Sequence, residues 1–179
     1  MSIIIEKTLG LLKPDTIKFI DEIEEIIKND GFTILQKRKL QLTSEQLSEF
    51  YGEHFGKPFF PDLIAYLRSG PVIAMVLARP QAICQWKDLI GPTRTNDARN
   101  MAPNSLRARF GRDDTHNGFH GSDSAASAER EIHFFFPGSI VEPVISGQTA
   151  KDYLAKTVNP TLIKGLTHLC KDKPNDPIV

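Results

Sequence analysis

Apolar positions fall into short blocks whose spacing switches between two periods. Residues 3–12 are rich in β-branched and leucine residues and end at Lys13-Pro14-Asp15, which predicts a buried strand and a stop. Over residues 18–30, Ile20, Ile23 and Ile27 recur at helical spacing against Asp21, Glu22, Glu24 and Glu25, with Gly31 placed as a C-terminal cap. Residues 32–42 alternate loosely and predict a second strand. Thr43 with Gln46 has the form of a capping box for a helix to about His54, and a short helix is predicted over residues 61–68. Ser69-Gly70-Pro71 then breaks the chain before residues 72–78, a continuous apolar run that predicts a central strand.

Further on, Pro80 suits the first turn of a helix to Ile90, ended by Gly91-Pro92. Residues 93–104 are polar without periodicity and predict a long loop. Residues 105–110 predict one or two helical turns, and residues 116–120 a short final strand. Ser122 or Asp123 is placed to cap a helix through Ala125, Ala126, Ala128 and Glu129 into Phe134-Phe135-Phe136, stopped by Pro137-Gly138. The order β-α-β-α-α-β-α-β-α predicts an α+β fold over residues 1–145. Its form is a ferredoxin-like split-βαβ sandwich: a four-stranded antiparallel sheet with helices packed on it. Residues 146–179 read as a separate small unit. There Tyr153, Leu154, Val158, Leu162, Ile163, Leu166 and Leu169 recur at helix-like spacing, interrupted by Asn159-Pro160. One kinked amphipathic helix with no chain left to cover its stripe is expected to dock on a partner.

Composition narrows the function classes. The 179 residues suit one domain with a short appendage. Lys+Arg and Asp+Glu both number 22, which argues against a nucleic-acid binder acting by bulk charge. No apolar run reaches the roughly 18 residues of a membrane span, and the start lacks the form of a secretory signal. Cys84 and Cys170 are far apart and outside any CxxC spacing, so reduced thiols in the cytoplasm are expected.

Chemistry concentrates at Asn117-Gly118-Phe119-His120-Gly121-Ser122-Asp123-Ser124, where a histidine ends a strand before a glycine and a helix N-terminus. Neutral imidazole is a good nucleophile near pH 7, and helix N–H groups favour an anion beside it. A lone histidine more often satisfies a turn. This one stands in a longer set: Lys13-Pro14-Asp15, Lys57-Pro58-Phe59-Phe60, Ser69-Gly70-Pro71-Val72 and Ser105-Leu106-Arg107. Together with Asn117-x-x-His120-Gly121-Ser122-Asp123-Ser124, that set resembles the nucleoside diphosphate kinases over about residues 6–137.

The resemblance implies that His120 carries a phosphoryl group from a nucleoside triphosphate to a diphosphate in a ping-pong cycle. It implies that Glu131 holds the other imidazole nitrogen, that Ser122 contacts this carboxylate, and that Tyr51 lies near the nucleophile. Lys13 and Asn117 would reach the sugar hydroxyl, Thr93, Arg107 and Lys87 the phosphates, and Phe59 the base. Mg²⁺ would arrive with the nucleotide, with no metal site of the protein's own. Taken singly, Lys13 also fits a strand-end surface charge, Tyr51 and Phe59 core aromatics, and Arg107 a solvated helix residue.

The chain departs from the family pattern at several points. Lys87 stands where a second arginine is usual, which removes a bidentate fork. Asp114 replaces a small apolar residue and adds negative charge near the ligand. The segment after Asp15 is about two residues shorter, and that between Gly91 and Arg107 about three longer, than is usual in the family. The family's hexamer-forming extension is absent, which argues against a hexamer. Residues 150–166 with Lys173-Pro174 and Pro177-Ile178 are similar to the start of a Dpy-30-type docking motif, whose second helix is missing, so the unit is expected to be incomplete. A kinase-like domain followed by this motif resembles a ciliary branch of the family found in axonemal radial spokes. That implies a catalytically weak or inactive structural alternative, with protein partners through the C-terminal helix in a homodimer or axonemal complex. Nucleic-acid and membrane partners are not expected, and a nuclease reading lacks the carboxylate cluster for two metals.

Overall fold

The computed structural model describes residues 4–141 and 148–172. They divide into two units, Ile5–Pro143 and a second that contains the C-terminal helical segment. The boundary expected at residues 145–146, and the start of the first predicted strand at Ile3, lie outside the described residues.

In the larger unit the leucine block forms β1 (Glu6–Leu12), and the apolar run forms β3 (Val72–Arg79), its antiparallel partner. Their apolar residues point to both sides of the sheet because both faces are covered. Leu9, Leu11, Val72, Ala74 and Val76 pack into one core. Leu12, Ile73, Met75 and Leu77 pack into the other. The edge strands are β2 (Thr33–Leu40), against β3, and the three-residue β4 (Phe119–Gly121), against β1. The order β2-β3-β1-β4, antiparallel throughout, is the expected ferredoxin-like sheet. A register shift between Ile34 and Gln36 accounts for the loose alternation of β2.

Helices close each face. The first core takes side chains from α2 (Ser44–Phe50), α3 (Phe60–Arg68) and α7 (Ala125–Phe135). The second takes them from α1 (Ile20–Asn29), α4 (Ala82–Ile90) and α6 (Leu106–Phe110). The Thr43–Gln46 capping box is formed in both directions.

Several boundaries differ from the expectation. The helix after Thr43 ends at Phe50 and is followed by a 3₁₀ turn, Gly52–His54. Another 3₁₀ segment, Pro14–Phe19, precedes α1, with Pro14 supplying the fixed φ of its first residue. Pro80 lies outside α4, because Gln81 at its N-cap adopts a left-handed conformation (φ 54°) and the helix begins at Ala82. The predicted loop after Gly91 contains α5 (Thr95–Met101). The cap of α7 is Ser124, whose side chain accepts the Ser127 N–H, in place of Ser122 or Asp123.

In the second unit α8 (Gln148–Tyr153) continues through a π turn, Leu154–Val158, into α9 (Asn159–Asp172). Pro160 has no N–H to offer Lys156, and the turn before it widens so that the Asn159 N–H reaches Leu154 O. Tyr153, Leu154, Val158, Leu162, Ile163 and Leu166 are exposed along this segment. Pro174 and Pro177 fall outside the described residues. Among those described, no helix is long and apolar enough to cross a membrane.

Candidate active site

His120 owes its position to glycines. In the β1–β4 pairing Leu11 faces His120 and Gly10 faces Gly121. The Trp86 indole lies against both glycines: a Cβ at Gly121 would stand 2.5 Å from its Cδ1, and one at Gly10 3.1 Å from its Cζ2. The indole Nε1–H donates to His120 O at 3.1 Å, so the only tryptophan fixes the main chain of the histidine.

One face of α7 supplies the next group. Glu131, 4% exposed, accepts from His120 Nε2 and from Ser122 Oγ on the same oxygen, both at 2.8 Å. A carboxylate only accepts, so Nε2 carries a proton, and in the neutral ring Nδ1 is the nitrogen that holds the lone pair. Among the described residues Nδ1 has no protein partner. The Phe50 and Tyr51 rings meet the imidazole edge-on at 5.3 and 5.6 Å between centroids and restrict its tilt.

His120 opens on a cleft of about 880 Å³ that Lys13, Tyr51, Phe59, Lys87, Thr93, Arg107 and Asn117 also line. Lys13 follows β1, its N–H held by Gly118 O at 2.8 Å. Gly118 has φ +78°, and a Cβ there would run into Thr16 Cγ2, so glycine is required. Lys13 Nζ donates to Asn117 Oδ1 at 2.8 Å, and Asn117 Nδ2 donates to Thr93 O at 2.9 Å. Burial, followed by the nearby Arg107 charge, lowers the Lys13 pKa to about 7. Arg107 is also buried, which lowers its pKa to about 10. Its Nη1 and Nη2 donate to Gly91 O and Phe119 O at 2.6 and 3.1 Å.

Lys87 is engaged with Asp123 at 2.6 Å, and its hydrogen bond is the main cause holding that carboxyl below the usual range. Asp114 lines the same cleft, and its Oδ1 accepts weakly from Asn96 N at 3.4 Å. Phe59 is half-exposed on the wall, with Lys57 Nζ 5.8 Å from its ring centre. Among the described residues the buried Tyr51 hydroxyl has no hydrogen-bond partner, and burial raises its pKa.

Every residue named from the sequence therefore either lines the cleft or, as with Glu131 and Ser122, stands behind His120. Trp86 and the Asp123 partner of Lys87 were not foreseen. The paired small residues Gly10 and Gly121 were the only trace of the first, and their register is not visible in the sequence. Among the described residues no group of three or more His, Cys, Asp or Glu could hold a metal ion. The arrangement offers cations for a polyanion, a flat apolar ring, and one nitrogen lone pair for attack on an electrophilic centre.

Comparison with known proteins gives two family matches: "Nucleoside diphosphate kinase" over residues 6–141 and "Dpy-30 motif" over residues 149–179. The chain is 57% identical to Nucleoside diphosphate kinase homolog 5 of Danio rerio over 175 residues, covering 98% of this chain and 81% of that one. Among solved structures, the nucleoside diphosphate kinase of Aquifex aeolicus aligns with TM-score 0.72 and 41% identity, over 75% of this chain and 96% of that one. A halophilic nucleoside diphosphate kinase from Halobacterium salinarum, in complex with CDP, aligns with TM-score 0.68 and 33% identity, over 83% and 97%.

Proposed function

Because this chain belongs to the nucleoside diphosphate kinase family, we propose that it passes the γ-phosphoryl group of a nucleoside triphosphate to a nucleoside diphosphate through a phosphohistidine at His120. The observation that carries this reading is the 2.8 Å bond from His120 Nε2 to Glu131, which leaves Nδ1 as the nucleophile at a cleft lined by cations.

In the first half-reaction the Nδ1 lone pair attacks the γ-phosphorus. An N–P bond forms, the P–O bond to the β-phosphate breaks, and the diphosphate leaves with that electron pair. The Nε2 proton stays in place, so the positive charge of the phosphoimidazolium faces the Glu131 carboxylate. In the second half-reaction a terminal oxygen of another diphosphate takes the phosphoryl group and restores the neutral ring. No proton needs to leave the site.

Lys13, Arg107, Lys87 and Thr93 spread the charge of the phosphates, and Lys13 with Asn117 reaches the sugar hydroxyl. Phe59 stacks the base, Tyr51 bounds the nucleophile, and Ser122 fixes the carboxylate. Mg²⁺ would enter with the nucleotide and offset the charge of its phosphates. The test is incubation with γ-labelled ATP: an acid-labile label on the wild type, absent from His120→Ala, is expected, and an unlabelled wild type ends this reading.

A second reading is favoured by the exposed apolar side chains of residues 153–166, the Dpy-30 match, and the hold of Asp123 on Lys87. In it the protein is a weakly active or inactive, nucleotide-binding component of a ciliary or flagellar axoneme, at the radial spoke, docking helical partners through its C-terminal segment. It predicts binding without repeated turnover, and co-purification of a partner that is lost when residues 150–179 are deleted. Steady turnover by the shortened chain, with no partner held by the full chain, counts against it.

A further inference from the structure

Four cations line the cleft, and three are already engaged. Lys13 donates to Asn117, Arg107 to two main-chain carbonyls, and Lys87 to Asp123. The fourth, Arg94, is exposed and makes no hydrogen bond or ion pair through its side chain among the described residues. The lining carries Glu53, Asp88, Asp114 and Asp123 against these four cations, so its formal charges cancel. A triphosphate brings three or four negative charges into that neutral lining, and the cation that meets them at the lowest cost is the one with no bond to break.

The main chain around Arg94 is fixed. Arg107 holds Gly91 O at 2.6 Å, Asn117 holds Thr93 O at 2.9 Å, and Arg94 O accepts the Ala98 N–H at 2.9 Å. The same buried residues that build the wall beside His120 thus set the base from which the Arg94 side chain extends. Its own guanidinium is left free to turn.

We propose that Arg94 is a nucleotide-binding residue whose guanidinium fork closes on two β-phosphate oxygens of the bound nucleotide. The inference rests on the nucleotide reading of the cleft given above. A guanidinium matches two phosphate oxygens at once, and its attraction grows with the number of phosphates and is indifferent to the base.

Titration calorimetry of the full chain with AMP, ADP and GDP, on wild type, Arg94→Ala and Arg94→Lys, tests it. Arg94→Ala is expected to weaken ADP and GDP about tenfold and to leave AMP within about twofold, as loss of one charge-assisted phosphate contact requires. Arg94→Lys recovers part of the loss, and the thermal midpoint is unchanged in both variants. Unchanged ADP affinity, equal weakening of AMP and ADP, or a loss confined to one base overturns the proposal. A wild type that binds none of the three sinks the nucleotide reading itself, and Arg94 with it; binding with normal affinity in Arg94→Ala sinks Arg94 alone.

Discussion

At the scale of single residues, the carboxylate behind His120 and the buried lysine beside it govern the chemistry. Glu131→Gln keeps an acceptor at the imidazole but removes the charge that faces a phosphoimidazolium. Phosphoenzyme formation is expected to slow by about 10–100-fold with little change in KM, measured by rapid quench; an unchanged rate contradicts the role. Lys13 adds a pH signature. Its pKa of about 7 in the free protein leaves it mostly neutral at pH 8, whereas a bound polyphosphate favours the ammonium. ADP binding at pH 8 therefore takes up a proton, seen as a dependence of the calorimetric heat on buffer ionisation, and Lys13→Met abolishes the uptake. Affinity falls as pH rises above 7 in the wild type alone. Asp114 works the other way: Asp114→Val removes a negative charge from the lining and is expected to tighten ADP severalfold.

His120, Asn117 and Ser122 could be read from the sequence because their chemistry sits in one contiguous string. The Lys87–Asp123 pair and the Trp86 tether could not, since they join positions 36 and 34 residues apart that only the packing of α4 against β4 brings together.

Among the elements, those with an apolar period were readable and those held by polar bonds were not. β3 announces itself as a continuous apolar run, and β1 by its β-branched and leucine residues. In α5 only Thr95 and Ala98 are buried, and the helix is tied down by Thr95 Oγ1 to Asp113 O and by Arg99 to Gly111 O, so it carries no stripe to detect. The cap of α7 was misplaced for a related reason. Three oxygen-bearing residues precede it, and Ser122 is committed to Glu131 and Asp123 to Lys87, which leaves Ser124. The close fit of Trp86 on β4 makes a test at this scale. Gly121→Ala is expected to destabilise the fold by about 1–3 kcal/mol in chemical denaturation and to shift the tryptophan emission, because the indole must leave its seat. Full stability with native emission contradicts the tether.

Across the whole molecule, the site draws on the end of β1, the turn after α2, the segment between α4 and α6, β4 and α7. The split-βαβ sheet, with β1 and β3 at its centre, carries these parts to one cleft. The order of elements was enough to foresee that sheet, while the convergence of its loops depends on lengths and caps that composition hides. Among the described residues, every side chain named around His120 belongs to the Ile5–Pro143 unit, so deleting residues 148–179 is expected to leave phosphoenzyme formation within about twofold.

The most direct measurement is the initial rate of transfer from ATP to a second nucleoside diphosphate over a grid of both concentrations. A phosphohistidine that forms and empties in separate half-reactions predicts parallel double-reciprocal lines and no transfer by His120→Ala. Intersecting lines, transfer that survives without His120, or no steady transfer at all contradicts it.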